Sequence, residues 1–90
     1  MNLARFLNRL FKKDGFILID ASLKKYIIGL PKKKEPITIK ILDKKLHYKL
    51  LLRPDLYFGE GYSNGTIKIE NGTLTEFLDM ALMNVGRQEL

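Results

Sequence analysis

The sequence predicts an α+β fold: a small, mostly antiparallel sheet of about four strands with an N-terminal helix, two central helices and a C-terminal helix. Three observations carry this. Segments with helical spacing of apolar residues alternate with short segments of β-branched and aromatic residues, and most changes of period coincide with a Gly, Pro or Asn-Gly signal. The order along the chain reads α, β, β, β, α, α, β, α, with strands and helices in runs rather than in strict alternation. Ninety residues suffice for one core, because a chain this short buries only about 60 to 65% of its unfolded surface. Residues 1–90 are therefore read as a single domain.

The first helix rests on Leu3, Phe6, Leu7, Leu10 and Phe11, which recur at i, i+3, i+4, i+7 and i+8, with Arg5, Asn8, Arg9 and Lys12 off the stripe. Asp14-Gly15 ends it. Such a basic amphipathic helix suits a membrane interface, but packing on the sheet is preferred, since a small domain can hardly spare five large apolar residues. Phe16 to Asp20 and Leu23 to Ile28 read as two strands of a hairpin turning at Ala21-Ser22. The loop PKKKEP, residues 31 to 36, breaks the chain with a proline at each end; Ile37, Ile39 and Ile41 then alternate with Thr38 and Lys40 as a half-buried strand. Leu46, Leu50 and Leu51 give helical spacing within Lys44 to Arg53, and Pro54 stops that helix because the residue before a proline avoids the α region. Ile67 and Ile69 alternate with Lys68 and Glu70 in a further strand. Asn71-Gly72 turns the chain into the last helix, where Thr73 and Glu76 form a capping box and Leu74, Phe77, Leu78, Ala81 and Leu82 form the apolar stripe.

Composition narrows the function. The chain has no cysteine, a net charge of +6 and a pI near 9.7, which excludes disulfides and thiolate chemistry and favours anionic partners. No apolar run approaches the ~20 residues of a membrane span, and the N-terminus lacks the pattern of a signal peptide. A cytoplasmic location follows, peripheral at the inner face of the membrane if lysines touch lipid. Lys32, Lys33 and Lys34 sit together in the proline-bounded loop and are the candidate contact with anionic lipid; a solvated loop is the competing reading. Nucleic acid is not an expected partner, because only four arginines are present and most aromatics fall on apolar stripes. The single histidine, His47, has no nucleophile and acid assembled around it, and the five aspartates and five glutamates are scattered, so neither catalysis nor metal binding is expected.

The stretch DLYFGEGYSNGTIKIENG, residues 55 to 72, needs its own explanation. Gly59, Gly61 and Gly65 give G-x-G-x-x-x-G, followed by a strand, whereas a dinucleotide loop needs G-x-G-x-x-G between a strand and a helix. A helix and turn presenting Glu60 and Tyr62 fits better. Pro54, Leu56, Gly59, Glu60, Tyr62 and Gly65, then the short strand, Gly72 and a leucine-rich helix, resemble the N-terminal domain of cyclopropane-fatty-acyl-phospholipid synthases. FILIDASLKKYIIG followed by ITIKI looks like the same family's strand pattern, so the similarity spans about residues 11–84. Gly61 stands where that family usually has alanine, and Ser63-Asn64 where it has Met-Asp.

The resemblance implies a non-catalytic module of a lipid methyltransferase, serving phospholipid contact and inter-domain or subunit contact. Glu60, Tyr62 and Tyr57 are then the candidate interface residues. S-adenosylmethionine and the catalytic residues would belong to a Rossmann-like domain, expected as a partner in cis or trans because only Val85 to Leu90 follow Asn84 here; no cofactor is expected on this chain. A homo-oligomer and the phospholipid surface complete the expected partners. The competing expectation is a stand-alone small lipid-binding, carrier-like domain enclosing an acyl chain.

Overall fold

Four strands, ordered β2-β1-β3-β4, form the sheet on which the chain is built. The computed structural model describes residues 2–84; Met1 and residues 85–90, the short tail noted above, lie outside the described residues. The elements are α1 (Asn2–Leu10), β1 (Gly15–Ile19), β2 (Lys25–Gly29), β3 (Thr38–Ile41), α2 (Leu46–Leu52), α3 (Pro54–Asn64), β4 (Ile67–Glu70) and α4 (Leu74–Asn84). This is the α+β architecture and the element order that the sequence predicts.

The sheet is mixed. β1 and β2 pair antiparallel, with Phe16 opposite Ile28 and Leu18 opposite Tyr26, and β3 and β4 pair antiparallel, with Ile39 opposite Ile69. β1 and β3 run parallel. The parallel pair arises because residues 30–37 carry the chain from the end of β2 past the start of β1, where the Ile37 carbonyl accepts the Ile17 N–H at 2.9 Å. Asp14 holds that loop, its carbonyl accepting the Leu30 N–H at 3.2 Å and its carboxylate the Lys32 N–H at 3.0 Å.

Side chains alternate across the sheet. Phe16, Leu18, Ile28, Ile39, Ile41 and Ile67 join one core cluster with Leu3 and Ala4 of α1, Leu46 and Leu50 of α2, and Phe77 and Met80 of α4, while Phe11 fills the turn after α1. Helix α1 thus packs on the sheet, as its stripe predicts. It also reaches the outer edge of β2: the Asn8 carboxamide accepts the Gly29 N–H at 2.8 Å and donates to the Ile27 carbonyl at 3.4 Å, covering backbone groups that an edge strand otherwise leaves open.

Several boundaries differ from the sequence reading, among them the end of α1, at Leu10 rather than at Asp14-Gly15. The second strand starts at Lys25, because Leu23 takes a positive φ of 68° and is 82% exposed in the hairpin turn. Asp20 fixes that turn, its carboxylate accepting the Ser22 and Lys24 N–H groups, both at 2.9 Å, and the Tyr26 hydroxyl at 3.3 Å. Burial alone would push the Asp20 carboxyl up, but the bonds from Lys24, Ser22 and Tyr26 outweigh it and hold the carboxyl below its usual range. The first central helix begins at Leu46 rather than Lys44, after a turn in which the Asp43 carboxylate accepts the Lys45 N–H at 2.9 Å. His47 lies in that helix and accepts the Ala21 N–H on Nε2 at 3.0 Å, a structural tie to the hairpin turn.

Candidate functional site

An apolar groove of about 550 Å³ opens between the sheet and the helices. Its floor is Phe16 and Leu18 of β1, Ile39 and Ile41 of β3, and Ile67 of β4; its walls are Leu3, Leu7 and Leu10 of α1, Leu50 and Leu52 of α2, Phe58 of α3, and Phe77, Leu78, Ala81 and Leu82 of α4. The volume falls in the ~300–1,000 Å³ range of ligand cavities. At the rim Leu52 is 72% and Leu82 65% exposed. The charged residues on the lining are Arg53 and Asp55, at the junction of α2 and α3.

Two properties of the sequence open the groove. Arg53 and Pro54 break the central helical segment, with Arg53 at φ −142° and ψ 77°, so that α2 and α3 are separate helices whose junction, Leu52 to Asp55, lines the groove. In α4 the buried side is Phe77, Met80 and Asn84, which leaves Leu78 and Leu82 facing the groove and its mouth. The stripe read from sequence is thus divided between core and groove. Its width was the available signal: apolar residues at 74, 77, 78, 80, 81, 82 and 83 cover more of a helix than one packed face requires.

The candidate residues take other positions. Residues 54 to 64 form one helix ended by Gly65 in the left-handed region at φ 84°. There is no phosphate loop. Gly61 is the point of closest approach to the sheet, where an added Cβ would sit 2.7 Å from Cδ1 of Ile67, whereas Gly59 faces open space. Tyr57 is half-buried against the core, with Nζ of Lys49 5.4 Å from its ring centre. Glu60 is exposed, and Tyr62 is 43% exposed. Two positions apart on a helix, Glu60 and Tyr62 point to different sides. None of the three lines the groove.

Lys32, Lys33 and Lys34 are exposed in their loop. Lys33 pairs with Glu76 at 3.3 Å and borders a second hollow, of about 330 Å³, with Asp14, Pro36, Asp79 and Met83. That hollow touches the flank of α4 opposite Leu78 and Leu82, so the lysine loop is not the rim of the groove. Glu76 also closes the capping box read from sequence: Thr73 N–H donates to its carboxylate at 2.8 Å and Glu76 N–H to the Thr73 hydroxyl at 3.1 Å. The Thr73 N–H and then Lys33 hold the Glu76 carboxyl below its usual range.

Among the described residues no group of His, Cys, Asp and Glu is placed to hold a metal ion, and no helix is long and apolar enough to cross a membrane. The groove's lining is also a poor match for S-adenosylmethionine, whose charged and hydrogen-bonding groups need polar partners. Compared with known proteins, the chain matches no family model and no curated sequence.

Glu60 and Tyr62 lend themselves to a direct test. With no side-chain hydrogen-bond or ion-pair partner for either among the described residues, Glu60→Gln and Tyr62→Phe should each change stability by less than about 0.5 kcal/mol. Thermal melts of the two variants check this, and a loss of 1 kcal/mol or more in both would assign the pair a structural role.

Proposed function

We propose that this domain binds one acyl chain of a membrane phospholipid in the groove between its helices and sheet. The observation that carries the reading is a groove whose floor and walls are apolar, open to the surface between exposed leucines. Each buried methylene contributes about 0.8 kcal/mol, so roughly 5 to 19 of them, the length of one acyl chain, offset an association cost of order 4–15 kcal/mol. Because the floor and walls come from this chain alone, the groove favours a small lipid-binding, carrier-like domain.

A second reading makes the same groove the lipid-facing part of a cyclopropane-fatty-acyl-phospholipid synthase-like methyltransferase, with the catalytic domain in cis or trans. The resemblance across residues 11–84 suggests it, and the exposed, unpartnered Glu60 and Tyr62 offer a contact surface away from the groove. In both readings the chain contributes lipid binding and no chemistry.

Ala81 lines the groove and is half-buried, so Ala81→Phe fills it from one wall. Titration with a fluorescent acyl probe should give saturable binding at one site in the unaltered chain. In Ala81→Phe the affinity should fall at least about tenfold, roughly 1.4 kcal/mol, with a folded baseline in the thermal melt. Absence of saturable binding, or equal affinity in a folded Ala81→Phe variant, rejects the proposal.

A further inference from the structure

The geometry points to Arg53 as the head-group reader of the groove: a phospholipid places one chain on the apolar floor and its phosphate on the Arg53 guanidinium, with Asp55 as the competing internal anion. This rests on the reading of the groove as an acyl-chain site and adds the ligand's polar end to it.

Arg53 is the one cation on the groove's lining among the described residues. Its backbone is held on both sides, the N–H donating to the Lys49 carbonyl at 3.0 Å and the carbonyl accepting the Tyr57 N–H at 3.0 Å. The side chain therefore starts from a fixed point on the rim. Its head is free to move: the Arg53 Nε lies 3.6 Å from Asp55 Oδ1, with the two side chains 61% and 78% exposed. That distance exceeds a good hydrogen bond, and exposed pairs of this kind hold weakly. Asp55 does not depend on the pair alone, since the Leu56 N–H of its own helix, and then Arg53, hold its carboxyl below its usual range. An incoming phosphate can take the guanidinium, whose planar fork suits two oxygens at once.

The size of the groove and its rim select a phospholipid over a free fatty acid. A methylene is about the size of a water molecule, ~30 Å³, so 550 Å³ accepts one long chain and not two. Leu52, next to Arg53 in the chain, and Leu82 are the most exposed leucines of the lining. A second chain, or the bilayer it remains in, covers them; a single-chain fatty acid leaves them in water.

The test uses three ligands with the same palmitoyl chain: lysophosphatidylglycerol, monoacylglycerol and palmitate. Binding to monoacylglycerol tests the groove alone, and its absence in all three titrations overturns the acyl-site reading together with this one. The expected result is about tenfold tighter binding of the lysophospholipid than of monoacylglycerol, the effect of one charge-assisted hydrogen bond. Arg53→Gln should erase that preference, bringing the ratio of lysophospholipid to monoacylglycerol affinity close to one, Arg53→Lys should restore it in part, and Asp55→Asn should tighten lysophospholipid binding about two- to threefold. Equal affinity for the lysophospholipid and monoacylglycerol, or an Arg53→Gln loss common to both, overturns the assignment. Arg53-dependent binding of palmitate with no preference for the phosphate ligand overturns it in favour of a free carboxylate.

Discussion

Phe77→Ala is expected to lower the stability of the domain by about 3–5 kcal/mol, the range for deleting a buried aromatic ring. The Phe77 ring meets Phe16 edge-on at 5.0 Å, stacks on Phe58 at 5.2 Å and lies 6.4 Å from Phe11. One side chain thus joins α4 to β1, to α3 and to the turn after α1. The loss is a large part of the roughly 5–13 kcal/mol that a chain of this length commands. Phe77→Leu should recover more than half, because it refills most of the volume without the ring contacts. Urea unfolding checks both variants through the midpoint at constant slope. A loss below about 1 kcal/mol in Phe77→Ala would mean that α4 does not depend on this cluster for its docking.

Asn84→Ala is expected to cost about 2–3 kcal/mol for a polar reason. At the end of α4 the buried Asn84 carboxamide accepts the Lys12 N–H at 2.8 Å and the Lys13 N–H at 2.7 Å, and donates to the Lys13 carbonyl at 2.7 Å and the Met80 carbonyl at 2.9 Å. It pairs backbone groups in the turn after α1, so truncation removes their partner in the fold and unties α4 from that turn. Asn84→Asp retains the acceptors but directs a carboxylate oxygen at the two carbonyls, and should rescue only part of the loss. Urea unfolding of both variants is the measurement. An Asn84→Ala midpoint within error of the unaltered chain would show that water or local rearrangement satisfies these groups.

The elements themselves were written in local sequence. Pro54 separates two helices, Asn71-Gly72 turns β4 into α4, and Thr73 with Glu76 closes the capping box, because these outcomes depend on backbone sterics and hydrogen bonds over a few residues. The alternation of Ile37, Ile39 and Ile41 and the spacing of Leu3, Phe6, Leu7 and Leu10 gave strand and helix for the same reason. Period is a property of the backbone, and apolar residues mark the buried side.

Tertiary structure alone decided what those sides meet. The parallel pairing of β1 with β3, with Leu18 beside Ile39, follows from the course of residues 30–37 across the start of β1, which no local signal specifies. Leu78 and Leu82 belong to the same stripe as Phe77, yet they stay 42% and 65% exposed on the groove while Phe77 is buried, because the packed face of α4 is Phe77, Met80 and Asn84. Arg53 read as the end of a helix and became the cation on the groove's lip. Asn8, Asp20 and Asn84 read as ordinary polar residues and became ties between segments up to 72 residues apart. A side chain's local period fixes the direction in which it leaves its helix or strand, and its role depends on the surface that the rest of the chain brings opposite it.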